Sequence, residues 1–287
     1  MYRSLLFIPG NNERFLVKST SLKPDIHCFD LEDSVPSNDK QVARKLVAEH
    51  LASRQEDKES SIYVRINSVD SGLIEEDLDK IIVNGLDGVV IPKISNSQEV
   101  IEIADKIETL VSKRGFSSRI RIIPSIETAK GVINANSIAL AHENVVALVF
   151  GVFDYLYDMN IDVEYDDGIS YDYARSKIPV DAKAAGIEVL DGIWQEVNDI
   201  DGLIKDATNA RKLGYSGKTL IHPSHIIPVH DIFRPTKKQI EWAEKVLAAL
   251  QDAFEKGNTK GAILLDGKMI DAVHYKQAKS VIKAAKQ

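Results

Sequence analysis

Two apolar runs each end in a single carboxylate. RIRIIPSIETAKG, Arg119–Gly131, carries Glu127, and VVALVFGVFD, Val145–Asp154, carries Asp154. Short β-branched runs bounded by turn residues read as strands buried on both faces. A carboxylate where such a strand runs out stands at the rim of the sheet, where parallel α/β folds place their chemistry. A pair of them on neighbouring strands suits a hard divalent cation, because Mg²⁺ takes one or two protein carboxylates and fills its shell with water and substrate oxygens. Mn²⁺ is an alternative occupant. The other reading is that each acid caps the helix that follows it. The pairing favours the metal.

Further charged residues cluster at the ends of other apolar runs. DLEDS, Asp30–Ser34, sets three acids within four positions, an arrangement that needs solvent, ion pairs or a coordinated cation. In a strand Asp30 and Glu32 share one face, while Asp33 falls on the other or lies in the loop. They read either as an exposed loop or as carboxylates that orient waters around a metal. YVRIN, Tyr63–Asn67, buries an arginine in an apolar run. The guanidinium fork of Arg65 suits a bidentate grip on a carboxylate, either of a substrate such as a 2-oxo acid or of Asp30 or Glu32. Lys93 in GVVIPK is a candidate imine-forming lysine, which the metal reading disfavours, and His222 in GKTLIHP is either a base or a rim histidine satisfied by backbone.

These residues need elements to position them, and the chain supplies a regular series. Eight strands are predicted: Tyr2–Pro9, Ile26–Leu31, Ser61–Asn67, Gly88–Lys93, Ile120–Ile126, Val145–Gly151, Ile187–Gly192 and Gly217–Ile221. Amphipathic stretches lie between them, among them Asp39–Ala52, Ser97–Lys113, Tyr171–Ala185 and Ile200–Leu213, where Leu203, Ala207, Ala210 and Leu213 recur at helical spacing. Unbroken strand–helix alternation predicts α/β class and a (β/α)₈ TIM barrel over 1–256. An open doubly wound sheet is the alternative, but IPGNNER follows the first strand where a GxGxxG fingerprint would stand. Beyond the eighth strand a long helix, Thr236–Lys256, leads to an appendage over 257–287 with an apolar piece, Ala262–Leu265, an Asp266-Gly267 turn and a final helix, Ala272–Lys286. Such an appendage is placed to act as a lid or to reach a neighbouring subunit.

Composition narrows the partners. With 36 basic and 43 acidic residues spread along the 287-residue chain, the formal charge is −7, which disfavours a nucleic-acid groove or a polybasic membrane patch. No stretch approaches the ~18 apolar residues of a membrane span. MYRSLLFIPG is too short an apolar run for a signal sequence. Cys28 is the one cysteine, so no intrachain disulfide forms and a reducing cytoplasm is the expectation.

Nine segments in order give the chain a family resemblance: RSLLFIPGNNER, FDLEDSV, VRIN, GVVIPK, IPSIET, FGVFD, AAGIEVLDG, GYSGKTLIHPSHI and GKMID. It resembles the citrate lyase β-subunit-like CoA-ester lyases of the HpcH/HpaI aldolase superfamily, over nearly its whole length. The resemblance implies a Mg²⁺-dependent enzyme that makes or breaks a carbon–carbon bond beside a CoA thioester. Malyl-, citramalyl- or citryl-CoA would give a 2-oxo acid and acetyl-CoA. It also implies trimers or hexamers with shared sites. Residue by residue, Glu127 and Asp154 would hold the metal, Arg65 would bind the oxo acid, and Glu32 and Asp33 would stand behind them. Arg14 and Lys18 would lie near the CoA phosphates. Asp271 in GKMID would be the acid–base group that one subunit's lid brings to its neighbour. The family often has proline after that acid, whereas this chain has Ala272-Val273-His274. A citrate lyase β subunit acting on a carrier-bound citryl thioester, a metal-dependent pyruvate aldolase without CoA, and a non-catalytic acyl-CoA-binding barrel are the alternatives.

Overall fold

Each apolar run finds its partner in the next one along the chain. The computed structural model describes residues 2–54, 60–116, 119–162, 170–255 and 261–285. Its first four strands are β1 (Ser4–Pro9), β2 (Ile26–Asp30), β3 (Ser61–Arg65) and β4 (Gly88–Ile91). β5 (Arg121–Ile126), β6 (Ala147–Phe150), β7 (Glu188–Asp191) and β8 (Gly217–Leu220) complete the set. All pair in parallel in chain order, and β8 returns to β1 through Ser4↔Lys218, Leu5↔Thr219 and Leu6↔Leu220. The sheet is a closed barrel without a free edge, as the eight βα periods predict.

Helices α1 (Glu13–Ser19), α2 (Lys40–Ala52), α3 (Ile74–Ile81) and α4 (Ser97–Arg114) follow the first four strands. α5 (Ala129–Ala139), α6 (Val152–Asp158), α7 (Asp172–Ala184), α8 (Ile200–Leu213) and α9 (Ile226–Phe233) follow the rest. α4 shows why such segments are helices. The Asn96 side chain accepts the Glu99 N–H at 3.1 Å while Glu99 accepts the Ser95 N–H at 2.8 Å, so the helix start is capped from both directions. Val100, Ile103, Ala104 and Ile107 then bury one stripe. In α8 the predicted stripe holds for Leu203, Ala207 and Ala210, but Leu213, the last helical residue, is exposed.

Inward-facing side chains fill the barrel. Leu5, Ile26, Cys28, Tyr63, Val90, Ile123 and Leu190 are fully buried there, each such apolar side chain contributing about 1.5–3 kcal/mol. Tyr63 is the largest and sets its own condition: a Cβ on Gly88 of the adjoining strand would stand 2.3 Å from the Tyr63 ring. Burial also pushes the Cys28 thiol pKa up, which makes it an inert core residue.

The chain divides into two compact units, Tyr2–His230 and Asp231–Gln287. The second contains α10 (Lys237–Glu255), β9 (Ala262–Leu265), β10 (Lys268–Asp271) and α11 (Ala272–Ala285). The division thus precedes the boundary drawn at 256, because Ala243 and Val246 of α10 share a core with Ile270 and Ala278. β9 and β10 form a hairpin around the expected turn, a pairing not foreseen from the sequence, with the two turn residues Asp266 and Gly267 both at positive φ, 46° and 78°. Among the described residues, no helix is long and apolar enough to cross a membrane.

Candidate active site

Several predicted strands stop short of their apolar runs. β3 ends at Arg65 rather than Asn67, and β4 at Ile91 rather than Lys93. The residues released from the ladder build the carboxyl-end mouth of the barrel. Glu127 directly follows β5 and is 4% exposed. Asp154 lies in the first turn of α6 with its side chain 37% exposed. Neither caps a helix. Thr128 caps α5 by accepting the Gly131 N–H at 2.9 Å, and Gly151 occupies the cap of α6. Gly151 has a second task, since a Cβ there would stand 2.4 Å from Glu127 Cγ.

Glu127 Oε2 accepts the Lys93 backbone N–H at 3.1 Å. Burial, followed by the charges of Asp154 and Glu32, pushes the Glu127 pKa up to about 8 against the pull of Arg65 and Lys93. A buried carboxylate beside other carboxylates is a group whose charge a dication would compensate. Glu127 and Asp154 fit a hard divalent ion that takes its remaining oxygens from water and substrate. Among the described residues no group of three or more His, Cys, Asp or Glu side chains is arranged to hold an ion alone.

Arg65 forks onto Asp30, Nε to Oδ1 and Nη2 to Oδ2, both at 2.7 Å. Its Nη1 lies 3.0 Å from Glu32 Oε2. The structural partnership foreseen for Arg65 is therefore present, with both acids at once. Burial alone would raise the Asp30 pKa, but the charge and hydrogen bonds of Arg65 hold it below the ordinary value. The Phe7 ring covers the guanidinium, its centroid 4.5 Å from Cζ. Arg65 is locked in place and carries further N–H groups on Nη1 and Nη2 toward which a substrate oxygen can be placed.

Lys93 joins the acids. Its ammonium stands 2.5 Å from Glu32 Oε1, 3.2 Å from Asp33 Oδ2 and 3.4 Å from Asp154 Oδ1. Burial works against its charge, yet these carboxylates raise its pKa overall. It stays an ammonium, the opposite of what an imine-forming lysine needs. Lys40 holds the acidic turn from below, donating to the Leu31 and Glu32 carbonyls at 2.6 and 2.7 Å.

The remaining predicted residues belong to other elements. Arg14 and Lys18 are exposed on α1, one helical turn apart. Lys18 borders a cleft of about 250 Å³ along β1, with Phe7, Phe15, Ile221 and His222 also in its wall. His222 Nδ1 contacts Ser224 Oγ at 2.7 Å and accepts the Ser224 N–H at 3.2 Å, so it behaves as a rim residue that caps a turn. Within the C-terminal unit Asp271 accepts the Val273 and His274 N–H groups at 2.9 and 3.3 Å, and thus does cap α11. His274 Nδ1 lies 2.7 Å from Asp271 Oδ1, and this contact holds the Asp271 pKa below the ordinary value.

One charge cluster was not foreseen from the sequence. Arg175 and Lys218 both bind Asp191 and Asp206, with Arg175 at 2.6 Å from each and Lys218 at 2.6 Å from Asp191. The four partners are mutually satisfied beside a cavity of about 360 Å³ that contains none of the predicted site residues. Lys218 in the buried run GKTL was the available hint, because a charge inside a strand demands a partner.

A closed parallel barrel with clustered carboxylates and a locked arginine at its carboxyl-end mouth defines a (β/α)₈-barrel enzyme. The chain belongs to the family described as HpcH/HpaI aldolase/citrate lyase, whose model matches residues 3–223. It is 35% identical over 285 residues to the citrate lyase subunit beta of Haemophilus influenzae, covering 99% of this chain and 97% of that protein. It is 33% identical to the mitochondrial citramalyl-CoA lyase of Rattus norvegicus, covering 99% and 86%. The fold is shared with CitE from Mycobacterium tuberculosis, solved with magnesium, acetoacetate and coenzyme A. That likeness has a TM-score of 0.79 over 100% of this chain and 98% of the other, at 24% identity.

Proposed function

We propose that this chain is a divalent-cation-dependent CoA-ester lyase, which interconverts a 3-hydroxyacyl-CoA with a 2-oxo acid and acetyl-CoA. Malyl-, citramalyl- and citryl-CoA are the candidate thioesters. The observation that carries this reading is the meeting of Glu127, Asp154 and the locked Arg65 beside one mouth, in a chain whose relatives are named lyases. Glu127 and Asp154 would hold Mg²⁺ or Mn²⁺. When bound, the cation would draw electron density from the 2-oxo acid's carboxylate and keto oxygens. Glu32 and Asp33 would orient the surrounding waters.

In the condensation direction Asp271 accepts a proton from the acetyl methyl carbon, and the resulting carbanion adds to the keto carbon. Negative charge grows on the former keto oxygen, and Arg65 faces it with a guanidinium already fixed by Asp30 and Glu32. A proton from solvent at the mouth completes the hydroxyl; in cleavage the same steps run backwards, the hydroxyl proton leaving to solvent and Asp271 returning its proton to the departing carbon. Arg14 and Lys18 would attract the CoA phosphates, and the cleft beside Lys18 would take the thin acyl arm. The C-terminal unit would act as a lid on a neighbouring subunit of a trimer or hexamer, delivering Asp271 in trans.

The test is a panel of malyl-, citramalyl-, methylmalyl- and citryl-CoA with Mg²⁺, scored for 2-oxo acid and for free CoA. Cleavage of at least one ester, abolished by chelator, is expected. Free CoA would reveal a subsequent hydrolysis. The 35% identity to a citrate lyase β subunit supports a second reading, in which the citryl thioester is carried on an acyl carrier protein. Failure with every CoA ester, together with turnover of the carrier-bound thioester, would select it. Aldol chemistry on pyruvate without any thioester would instead select the CoA-independent aldolase.

A further inference from the structure

One residue touches every acid of the mouth except Asp30. The Lys93 ammonium contacts Glu32, Asp33 and Asp154, and its backbone N–H meets Glu127. Between them the Arg65 and Lys93 side chains form ion pairs with four of the five carboxylates, Asp30, Glu32, Asp33 and Asp154, and the fifth, Glu127, accepts the Lys93 backbone N–H. Arg65 is committed to Asp30 and Glu32, so Lys93 alone of the two is paired with Asp154. Its ammonium side chain is 31% exposed on a flexible stem, and its 3.4 Å contact with Asp154 is the longest ion pair it makes.

The backbone at Lys93 carries an independent message. Its φ is 55°, in the left-handed region. Among the described residues the other non-glycine positions at positive φ are Asn160 and Asp266, whose short polar side chains tolerate that region. Lysine has no such advantage, and glycine would serve the turn better. A lysine held in an unfavourable backbone conformation, with both its ends on the acid cluster, is there for its side chain.

We infer that Lys93 is the built-in counter-cation of this site: its ammonium offsets part of the carboxylate charge when no divalent ion is bound, competes with that ion for Asp154, and so sets the metal affinity. The inference rests on the proposed reading of Glu127 and Asp154 as metal ligands. It gives the site an exchangeable metal, because a cation of the protein itself replaces the departing ion and spares the acids mutual repulsion. It also separates Lys93 from the chemistry, making it a positioning residue for Asp154 rather than a group that touches substrate.

The experiment is Mn²⁺ binding to the full-length, chelator-stripped protein by calorimetry, without substrate, for wild type and for Lys93→Met, Lys93→Gly and Lys93→Arg. Lys93→Met removes the charge at similar length. Lys93→Gly removes it while suiting the left-handed backbone, so a folding defect of the first variant does not end the test. Both are expected to bind Mn²⁺ about tenfold more tightly or better, since a like charge next to the ion is gone. Lys93→Arg keeps the charge and should stay within about threefold of wild type. The metal-free Met variant should also melt lower than wild type and gain more from added Mn²⁺. Unchanged or weaker Mn²⁺ binding by both neutral variants overturns the counter-cation role. If binding tightens but Glu127→Gln and Asp154→Asn leave it untouched in the Lys93→Met background, the ligand assignment beneath it is what fails.

Discussion

Glu127 and Asp154 are unlike as carboxylates, and their variants should differ accordingly. Glu127 is buried among acids, with its pKa pushed up to about 8, whereas Asp154 is partly exposed and paired with Lys93. Each substitution, Glu127→Gln and Asp154→Asn, should abolish measurable Mn²⁺ binding and metal-dependent turnover, because two protein ligands leave no redundancy. Glu127→Gln should also stabilise the metal-free protein at neutral pH, having removed a carboxyl that ionises freely in the unfolded chain but is held protonated by burial in the folded one, while Asp154→Asn should leave its melting temperature nearly unchanged. Full metal-dependent activity in both variants would place the site elsewhere. Arg65→Lys keeps one charge but loses the fork on Asp30, so kcat/KM should fall by about tenfold or more, equivalent to ~1.4 kcal/mol. Wild-type kinetics toward the 2-oxo acid would make Arg65 purely structural. The five acids and Arg65 were legible because charges that end apolar runs stand out. Lys93 also stood out at the end of its run, but its partnership with the acids did not, since its meeting with four of them depends on a left-handed residue that no run of side chains announces.

At the scale of elements the strands and helices were readable from periodicity, and their ends were not. A strand stops where its backbone leaves the ladder, and at the mouth that departure is dictated by tertiary contacts such as Lys93 N–H to Glu127. The β6–α6 junction shows how tightly such a departure is built. Gly151→Ala would set a methyl 2.4 Å from Glu127 Cγ, so Glu127 must move while the barrel core is untouched. Weaker Mn²⁺ binding, about tenfold, with little change in far-UV circular dichroism is the expected result. At the start of β2, His27 has its pKa lowered by burial first, with the charges of Arg54 and His50 adding to the effect. The unfolded chain takes up the proton near the ordinary value of about 6.5, and the folded one resists until lower pH. Its contribution to stability is therefore present above 6.5 and lost as pH falls below it. Thermal melts from pH 7.5 to 5 should show His27→Gln losing less stability than wild type, and parallel curves would refute the assignment.

The whole molecule contains arrangements that one-dimensional patterns do not carry. Arg175, Asp191, Asp206 and Lys218 lie on separate elements and meet only because the barrel closes, so their pairing has no local spacing to reveal it. The extent of the C-terminal unit was equally hidden, because α10 looks like one more barrel helix until its partners in β10 and α11 are known. That unit contains Asp271, which lies outside all eight βα repeats and caps α11. Capping and proton transfer are separable, since Asn caps about as well as Asp but takes no proton. Asp271→Asn should keep its melting temperature and its Mn²⁺ affinity and lose turnover. The proposed action in trans then makes a stronger demand. Asp271→Asn subunits retain an intact metal site, and Asp154→Asn subunits retain an intact acid. Each homogeneous preparation should be inactive, whereas mixed oligomers formed by dissociation and reassembly should recover part of the activity at interfaces that join one intact half to the other. Mass spectrometry of the reassembled species must show both chains in one particle. If such particles stay inactive, Asp271 serves the site of its own chain or no site at all.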